Sequence, residues 1–246
     1  VNRVGRDFVA ETGFVPRTGV ISVFRPASLI LNPKNEKIAK RINAYGIGTD
    51  GQDTYDLQGK LLDRETGIFA YITSPTRSEF SVGYFKGYTY LLYPFDPTNA
   101  QDNPDPLFSR DVVPLPVGGY HYEAFFLNLE TGARKNLQGM IDWFIGDYFN
   151  GTGTGLQGRL TYRLQPLGTI SLDANFTAID LPKPYNSIRY WLVGPRAELA
   201  FSRSVFFSTF FQYNTQTNNT NINTRLQWRF KPVSDLFVVY TDNYFA

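Results

Sequence analysis

Strict alternation of polar and apolar side chains is the feature of this chain that most constrains its fold. In residues 221–230, one set of alternate positions holds asparagine, glutamine and arginine, and the other is mainly apolar, with Leu226, Trp228 and Phe230. Residues 157–164 and 169–178 repeat the pattern. Apolar positions recur every three or four residues in a helix, whereas a strand presents successive side chains to opposite faces. The alternation therefore predicts an all-β protein.

The composition excludes several classes of function. The chain has 246 residues, of which 16% are aromatic, with one histidine and no cysteine, so disulfides, thiolate metal sites and cysteine nucleophiles are absent. Positive and negative residues are interspersed and the net charge is only +2, so the sequence shows no basic patch of the kind that binds nucleic acid. No apolar stretch approaches the roughly 18 residues of a membrane helix. A membrane β-barrel stays possible, since its strands offer only every second residue to lipid.

Alternation and turn residues together predict about twelve strands of about ten residues, the length that a tilted strand needs to cross a bilayer. Asn150-Gly151 is the strongest hairpin signal and Asp50-Gly51 is a second. The predicted strands are 20–31, 38–49, 60–72, 79–91, 120–129, 135–148, 155–164, 169–180, 189–202, 205–214, 221–230 and 236–242.

Two architectures fit this pattern. In a soluble sandwich the apolar positions would form the core, whereas in a membrane barrel they meet lipid and the charged positions line the lumen. Strand length, aromatic residues near strand ends and consecutive hairpins favour an up-and-down transmembrane antiparallel barrel. The predicted lumen-lining residues are Asp142, Arg159, Arg163, Asp173, Arg196, Glu198, Arg225 and Arg229. The predicted lipid-facing aromatic girdle contains Trp143, Tyr162, Trp228 and Phe230.

The connections between the predicted strands alternate between short and long, as in outer-membrane barrels with periplasmic turns and longer extracellular loops. We therefore expect one barrel domain, 1–246, in which residues 1–19 lead in from the extracellular side. Residues 93–119 form the longest loop, which is predicted to be either a plug or a surface binding element. This orientation places both ends of the sequence outside, so we expect one further strand at each end and about fourteen in the complete barrel.

Several segments also resemble a known family. They are residues 13–19, 65–85, 93–95, 146–151, 211–214, 223–232 and 234–242, and the last three are the most specific. This sequence resembles a family of large outer-membrane proteins from Bacteroidota, in which an N-terminal carbohydrate-binding-like module of the family-nine type precedes a C-terminal domain of unknown function. The resemblance covers nearly the whole chain. It implies the C-terminal barrel of such a protein, and it implies no catalytic residues.

Two sets of residues could carry chemistry. His121 and Glu123 lie two residues apart on one predicted strand, as a general base would require, or they form a polar pair lining the barrel near its rim. Asp102 and Asp105 offer oxygen ligands that calcium would accept, but they lack the glycine and final glutamate of an EF-hand loop. A rigid solvated loop explains the aspartates better. We expect no enzyme activity, no cofactor and no metal.

The predicted function is that of an outer-membrane anchor or interaction subunit of a larger surface protein or envelope assembly. The alternative is a pore or transporter for a small polar solute, in which the charged lumen selects the solute. The same charges could instead pair with one another and fill a narrow interior. An outer-membrane enzyme is third. Expected partners are outer-membrane lipid, lipopolysaccharide and other envelope proteins, but not nucleic acid.

Overall fold

The protein folds into one antiparallel sheet. The computed structural model describes residues 1–8, 17–98, 112–132 and 134–245, in which 14 strands lie in a single sheet and the only helix has four residues. The predicted all-β class is confirmed. The strands are β1 Asn2–Val4, β2 Val20–Phe24, β3 Ala27–Leu31, β4 Ala44–Asp56, β5 Leu61–Thr73, β6 Glu79–Leu91, β7 Gly118–Glu130, β8 Leu137–Tyr148, β9 Gly151–Leu164, β10 Gly168–Asp180, β11 Ile188–Ala200, β12 Val205–Asn214, β13 Asn219–Lys231 and β14 Ser234–Phe245, and helix α1 is Glu36–Ala39.

The topology is up-and-down, because each strand from β4 onward pairs with its neighbours in the chain. Strands β2 and β3 both pair with β4, β2 along Gln52–Asp56 and β3 along Tyr45–Thr49. They are two parts of the predicted strand 20–31, and the break falls at Pro26, which has no N–H to donate to a ladder. Strand β1, inside the segment 1–19, was not predicted and pairs with Val20–Ser22.

The second predicted strand, 38–49, is wrong at both ends. Residues 36–39 form α1, whose N-terminus is capped by the Asn35 side chain accepting the Lys37 N–H at 2.9 Å. Strand β4 starts only at Ala44 and continues through Asp50-Gly51, which pair with Gly67 and Thr66 of β5. The ladder with β5 therefore overrides the local turn preference of Asp-Gly.

The predicted strict alternation of short and long connections is also wrong. One end of the sheet carries the connections 57–60, 92–117, 149–150, 181–187 and 215–218. Three of these, 57–60, 149–150 and 215–218, were predicted to be long but have only two to four residues. The opposite end carries 32–43, which includes α1. Only 92–117 is much longer than the rest, and its last predicted residues, 118–119, belong to β7. We call the end that carries 92–117 the capped end.

The strand register divides the side chains into two faces. Residues that are register partners on neighbouring strands point to the same side, and successive residues point to opposite sides. The polar face is the side that carries Asp142, Arg159, Asp173 and Arg225, and the apolar face is the side that carries Ile47, Ile68, Leu160 and Trp228. Few hydrophobic side chains are buried, and Leu115 is the largest fully buried one in the described ranges.

The sheet has two edges within the described residues. No backbone pairing joins β14 to β1, β2 or β3 in these ranges. All five residues of β3 are exposed, and most of β14 is exposed as well. Both edges therefore present N–H and C=O groups that could pair with a further strand.

Candidate functional site

The eight charged residues that were predicted to share one side do lie on one face of the sheet. Arg159 and Asp173 are register partners. Thr169 of β10 is the register partner of both Arg163 and Glu198, so these two residues point to the same side. Ser208 of β12 is likewise the register partner of both Glu198 and Arg225. Three more charged residues also lie on this face, as their register partners show: Asp142 pairs with Gln157, Arg196 with Ser171, and Arg229 with Asp235. Whether the polar face lines a lumen stays a prediction.

Many of these charges are paired, but the pairs do not fill the space in front of the sheet. Arg159 forms an ion pair with Asp173, and Arg229 Nε lies 3.1 Å from Asp235 Oδ1. Arg196 and Glu198 are 3.9 Å apart, with side chains 51% and 60% exposed. Ion pairs of this exposure contribute little to stability, since water screens them. The polar face is therefore a solvated surface rather than a packed interior.

Aromatic rings lie flat on the polar face where the neighbouring strand carries glycine. Phe126 covers Gly83, Tyr122 covers Gly87, and Phe144 covers Gly155. A β-carbon at any of these glycines would collide with the ring. The rings therefore lie along the sheet instead of projecting from it, which leaves room in front. Sequence reasoning missed these pairs, although the repeated glycines on one face of β6 and β9 were a usable signal.

A pocket of about 290 Å³ lies on this face, between β7 and β10, and is lined by aromatic rings such as Phe126 and Phe144 as well as by polar side chains. Its polar lining includes Asn128, Asp142, Gln157, Asn175 and Thr177. Asn128 donates to Asp142 Oδ1 at 2.8 Å. The pocket offers amide and carboxylate groups to a small polar solute.

The described parts of the connection 92–117 lie over the capped end of the polar face. We call its described residues, 92–98 and 112–117, the cap. Phe95 and Leu115 pair through two backbone hydrogen bonds of 3.1 and 2.8 Å. Leu115 is 0% exposed and packs against Ile179 and Leu181, with Tyr120 and Tyr148 around them. These contacts place the base of the loop on the polar face.

The cap also reaches a distant part of the sheet. Gln216 Nε2, in the connection between β12 and β13, donates to the Thr98 carbonyl at 3.4 Å. Thr98 is buried, and its N–H and hydroxyl both donate to Asp96 Oδ1. Since Thr98 follows β6 and Gln216 follows β12, the sheet curves so that these connections meet on the polar side.

His121 and Glu123 share a face, but it is the apolar face, not the polar face assumed for a barrel-lining pair. Glu123 accepts from the Tyr84 hydroxyl and lies 3.1 Å from Lys86 Nζ, while the His121 ring stacks on Tyr88 at 4.9 Å. The Glu123 carboxylate is thus bound to Tyr84 and Lys86, and the His121 ring contacts Tyr88, so these contacts do not give the His–carboxylate hydrogen bond that a general base needs. Asp102 and Asp105 lie outside the described residues, within which no cluster of three metal-binding side chains occurs.

The four predicted girdle aromatics lie on the apolar face. Trp143 pairs with Leu156, Tyr162 with Ile170, and Trp228 with Leu236. Trp228 and Phe230 are 50% and 51% exposed and stack at 5.8 Å near the uncapped end of β13. Phe176 and Trp191 stack at 4.8 Å. They occupy the same row of register partners across the sheet as Trp143 and Leu156. Whether these residues meet lipid stays a prediction.

Comparison with protein-family models, with curated proteins and with solved structures gives no significant match. The resemblance to a Bacteroidota outer-membrane family therefore stays an expectation. No helix in the described ranges is long and apolar enough to cross a membrane.

Proposed function

We propose that this chain forms the wall of an outer-membrane β-barrel, which anchors a larger surface protein or an envelope assembly. The observation that carries the proposal is the apolar face. Ile47 and Ile68 are each 62% exposed and Phe125 is 59% exposed, and comparable exposed side chains continue across the strands to Val238 of β14. A soluble protein rarely exposes so large an apolar surface, but a lipid bilayer covers it.

The strand lengths support the same proposal. Strands β4 to β14 contain 10 to 14 residues each. A tilted strand needs about 9–11 residues to cross the hydrocarbon layer. These strands are therefore long enough to span a bilayer.

Closure of the sheet follows from the same physics. Hydrocarbon cannot satisfy the unpaired N–H and C=O groups of a strand edge, and each costs several kcal/mol there. The edge formed by β1 and β3 and the edge at β14 must therefore join, either directly or through further strands. The curvature marked by the contact between Thr98 and Gln216 supports this closure.

Membrane insertion is tested by refolding the protein into vesicles. We expect protease-resistant strands, a heat-dependent shift in gel mobility and resistance to alkaline extraction, since a closed barrel pairs all of its backbone groups and leaves no open edge for protease or detergent. Full extraction of the folded protein by alkali would contradict the proposal.

A second candidate function is passage of a small polar solute across the barrel. The half-exposed ion pairs, the flat aromatic rings and the 290 Å³ pocket all favour an aqueous interior over a filled one. The cap would then narrow the extracellular mouth.

We expect Leu115→Asp to raise solute flux through vesicles several-fold. Leu115 is fully buried, and an unpaired carboxylate in an apolar cluster costs several kcal/mol, so the cap should detach. Vesicle-swelling rates with small sugars and amino acids measure the flux. Val113→Asp is the matched control, because Val113 lies in the same segment but is 44% exposed. If neither the wild-type protein nor Leu115→Asp gives measurable solute flux after insertion into vesicles, the pore function is disproved and the anchor function stands.

A further inference from the structure

We propose that the apolar face binds a phosphorylated outer-leaflet lipid at the capped end of strands β4 to β7. The headgroup phosphate would contact a cluster of cationic side chains, and an acyl chain would lie in the apolar groove beside it. This inference rests on the proposed membrane location and adds a specific lipid partner to it.

The headgroup pocket has a volume of about 330 Å³. Arg64, Lys86 and His121 line it, together with Thr66 and Tyr88. These residues provide guanidinium, ammonium, imidazole and hydroxyl groups, all of which can donate to phosphate oxygens. Arg64 donates to Asp53 through Nε and Nη2, and Lys86 pairs with Glu123. Because the two side chains are 51% and 68% exposed, their remaining N–H groups are accessible.

The charges around this pocket leave a positive excess. Asp53 is contacted at 2.9 Å by both Arg25 and Arg64, so one carboxylate faces two guanidinium groups. Glu123 is the partner of Lys86. A further cation, Lys60, lies 3.6 Å above the Tyr90 ring on the same face. Asp56 Oδ1 accepts the Lys60 N–H at 2.8 Å and is a third carboxylate at this end. Four cations therefore stand against three carboxylates, and the remaining positive charge favours an anionic headgroup.

A groove of about 790 Å³ adjoins the pocket. Leu29, Ile47, Ile68, Ala70, Val82 and Phe125 are among its lining residues. Thr66 of the pocket and Ile68 of the groove are two residues apart on β5, as are Lys86 and Tyr84 on β6, which is about 7 Å along a strand. The groove and pocket therefore form one continuous site for a charged head and an apolar chain.

The juxtaposition favours a lipid over other occupants. A free phosphate would use only the pocket, and a second copy of the sheet would need no cations at one end of the groove. The site lies at the capped end, which we assign to the cell exterior because it carries 92–117, by far the longest connection. The matching lipid is therefore one of the outer leaflet with several phosphates and acyl chains, such as lipid A.

The test measures binding of lipid A to the full chain in nonionic detergent by native mass spectrometry. We expect the double variant Arg64→Gln with Lys86→Gln to bind about tenfold more weakly. The matched control, Arg196→Gln with Arg225→Gln, removes two cations from the polar face and should change binding by less than about twofold. Folding of each variant is checked by its gel mobility shift.

A groove variant keeps the test informative if the charge variants fail to fold. Ala70→Phe should weaken lipid A binding without a change in charge, because it fills the groove. Equal binding by wild type and Ala70→Phe, or by wild type and the Arg64/Lys86 variant, would overturn the inference. So would displacement of lipid A by inorganic phosphate alone. A protein that inserts into vesicles but binds lipid A no better than phosphatidylethanolamine disproves the lipid site and leaves the proposed function standing.

Discussion

Replacing Leu160 with arginine should lower the free energy of unfolding in lipid vesicles by about 2 to 4 kcal/mol. Leu160 lies on the apolar face of β9, between Gly139 of β8 and Leu172 of β10, and is 51% exposed. An arginine there would place its charge on the face that we propose meets hydrocarbon, four residues from the uncapped end of β9. Urea titration of reversible unfolding from vesicles, followed by tryptophan fluorescence, measures the change.

Thr161→Arg is the control for this prediction. Thr161 is the next residue on the same strand, but it lies on the polar face opposite Ser171, where water can solvate the new charge. We expect it to change the free energy of unfolding by no more than about 0.5 kcal/mol. Equal losses in both variants would show that the apolar face does not contact lipid.

Gly155→Val should destabilise the sheet by about 1 to 3 kcal/mol, since the added side chain would occupy the space of the Phe144 ring. The three nearest atoms to a β-carbon at Gly155 all belong to that ring. The ring must therefore leave the glycine, and its new position would project from the polar face. The measurement is again unfolding in vesicles.

Two further variants separate this clash from a general effect of valine. Gly158→Val should cost less than about 0.5 kcal/mol, because a β-carbon there lies 3.8 Å or more from its nearest neighbours. In a Phe144→Ala background, Gly155→Val should lose most of its effect, since the colliding ring is gone. Additive losses in the double variant would refute the ring-over-glycine arrangement.

The strands with regular alternation were predictable from sequence. Strands β6 and β12 have the bounds that alternation predicts, 79–91 and 205–214. Turn residues were less reliable. At the Asn150-Gly151 signal the turn consists of residues 149–150, and Gly151 already belongs to β9. A β-carbon at Gly151 would collide with the Asp180 carbonyl, so this glycine permits close approach of a strand rather than a turn.

The candidate site was predictable only in part. Period-two counting placed residues such as Arg159 and Asp173 on one side, because a strand allows each side chain only two directions. It could not show which charges pair, since pairing depends on the register between strands. The cap was likewise hidden, because burial of Leu115 depends on Ile179 and Leu181, more than sixty positions away.

Sequence alone determined the class of this protein and the side on which each strand residue lies, because both follow from local backbone geometry. The tertiary structure decided the rest: the extension of β4 through Asp50-Gly51, the aromatic rings over glycines, the cap on the polar face and the cationic pocket beside the apolar groove. Each of these depends on contacts between residues far apart in the chain. Alternation within one strand carries no information about the neighbour that its side chains will meet.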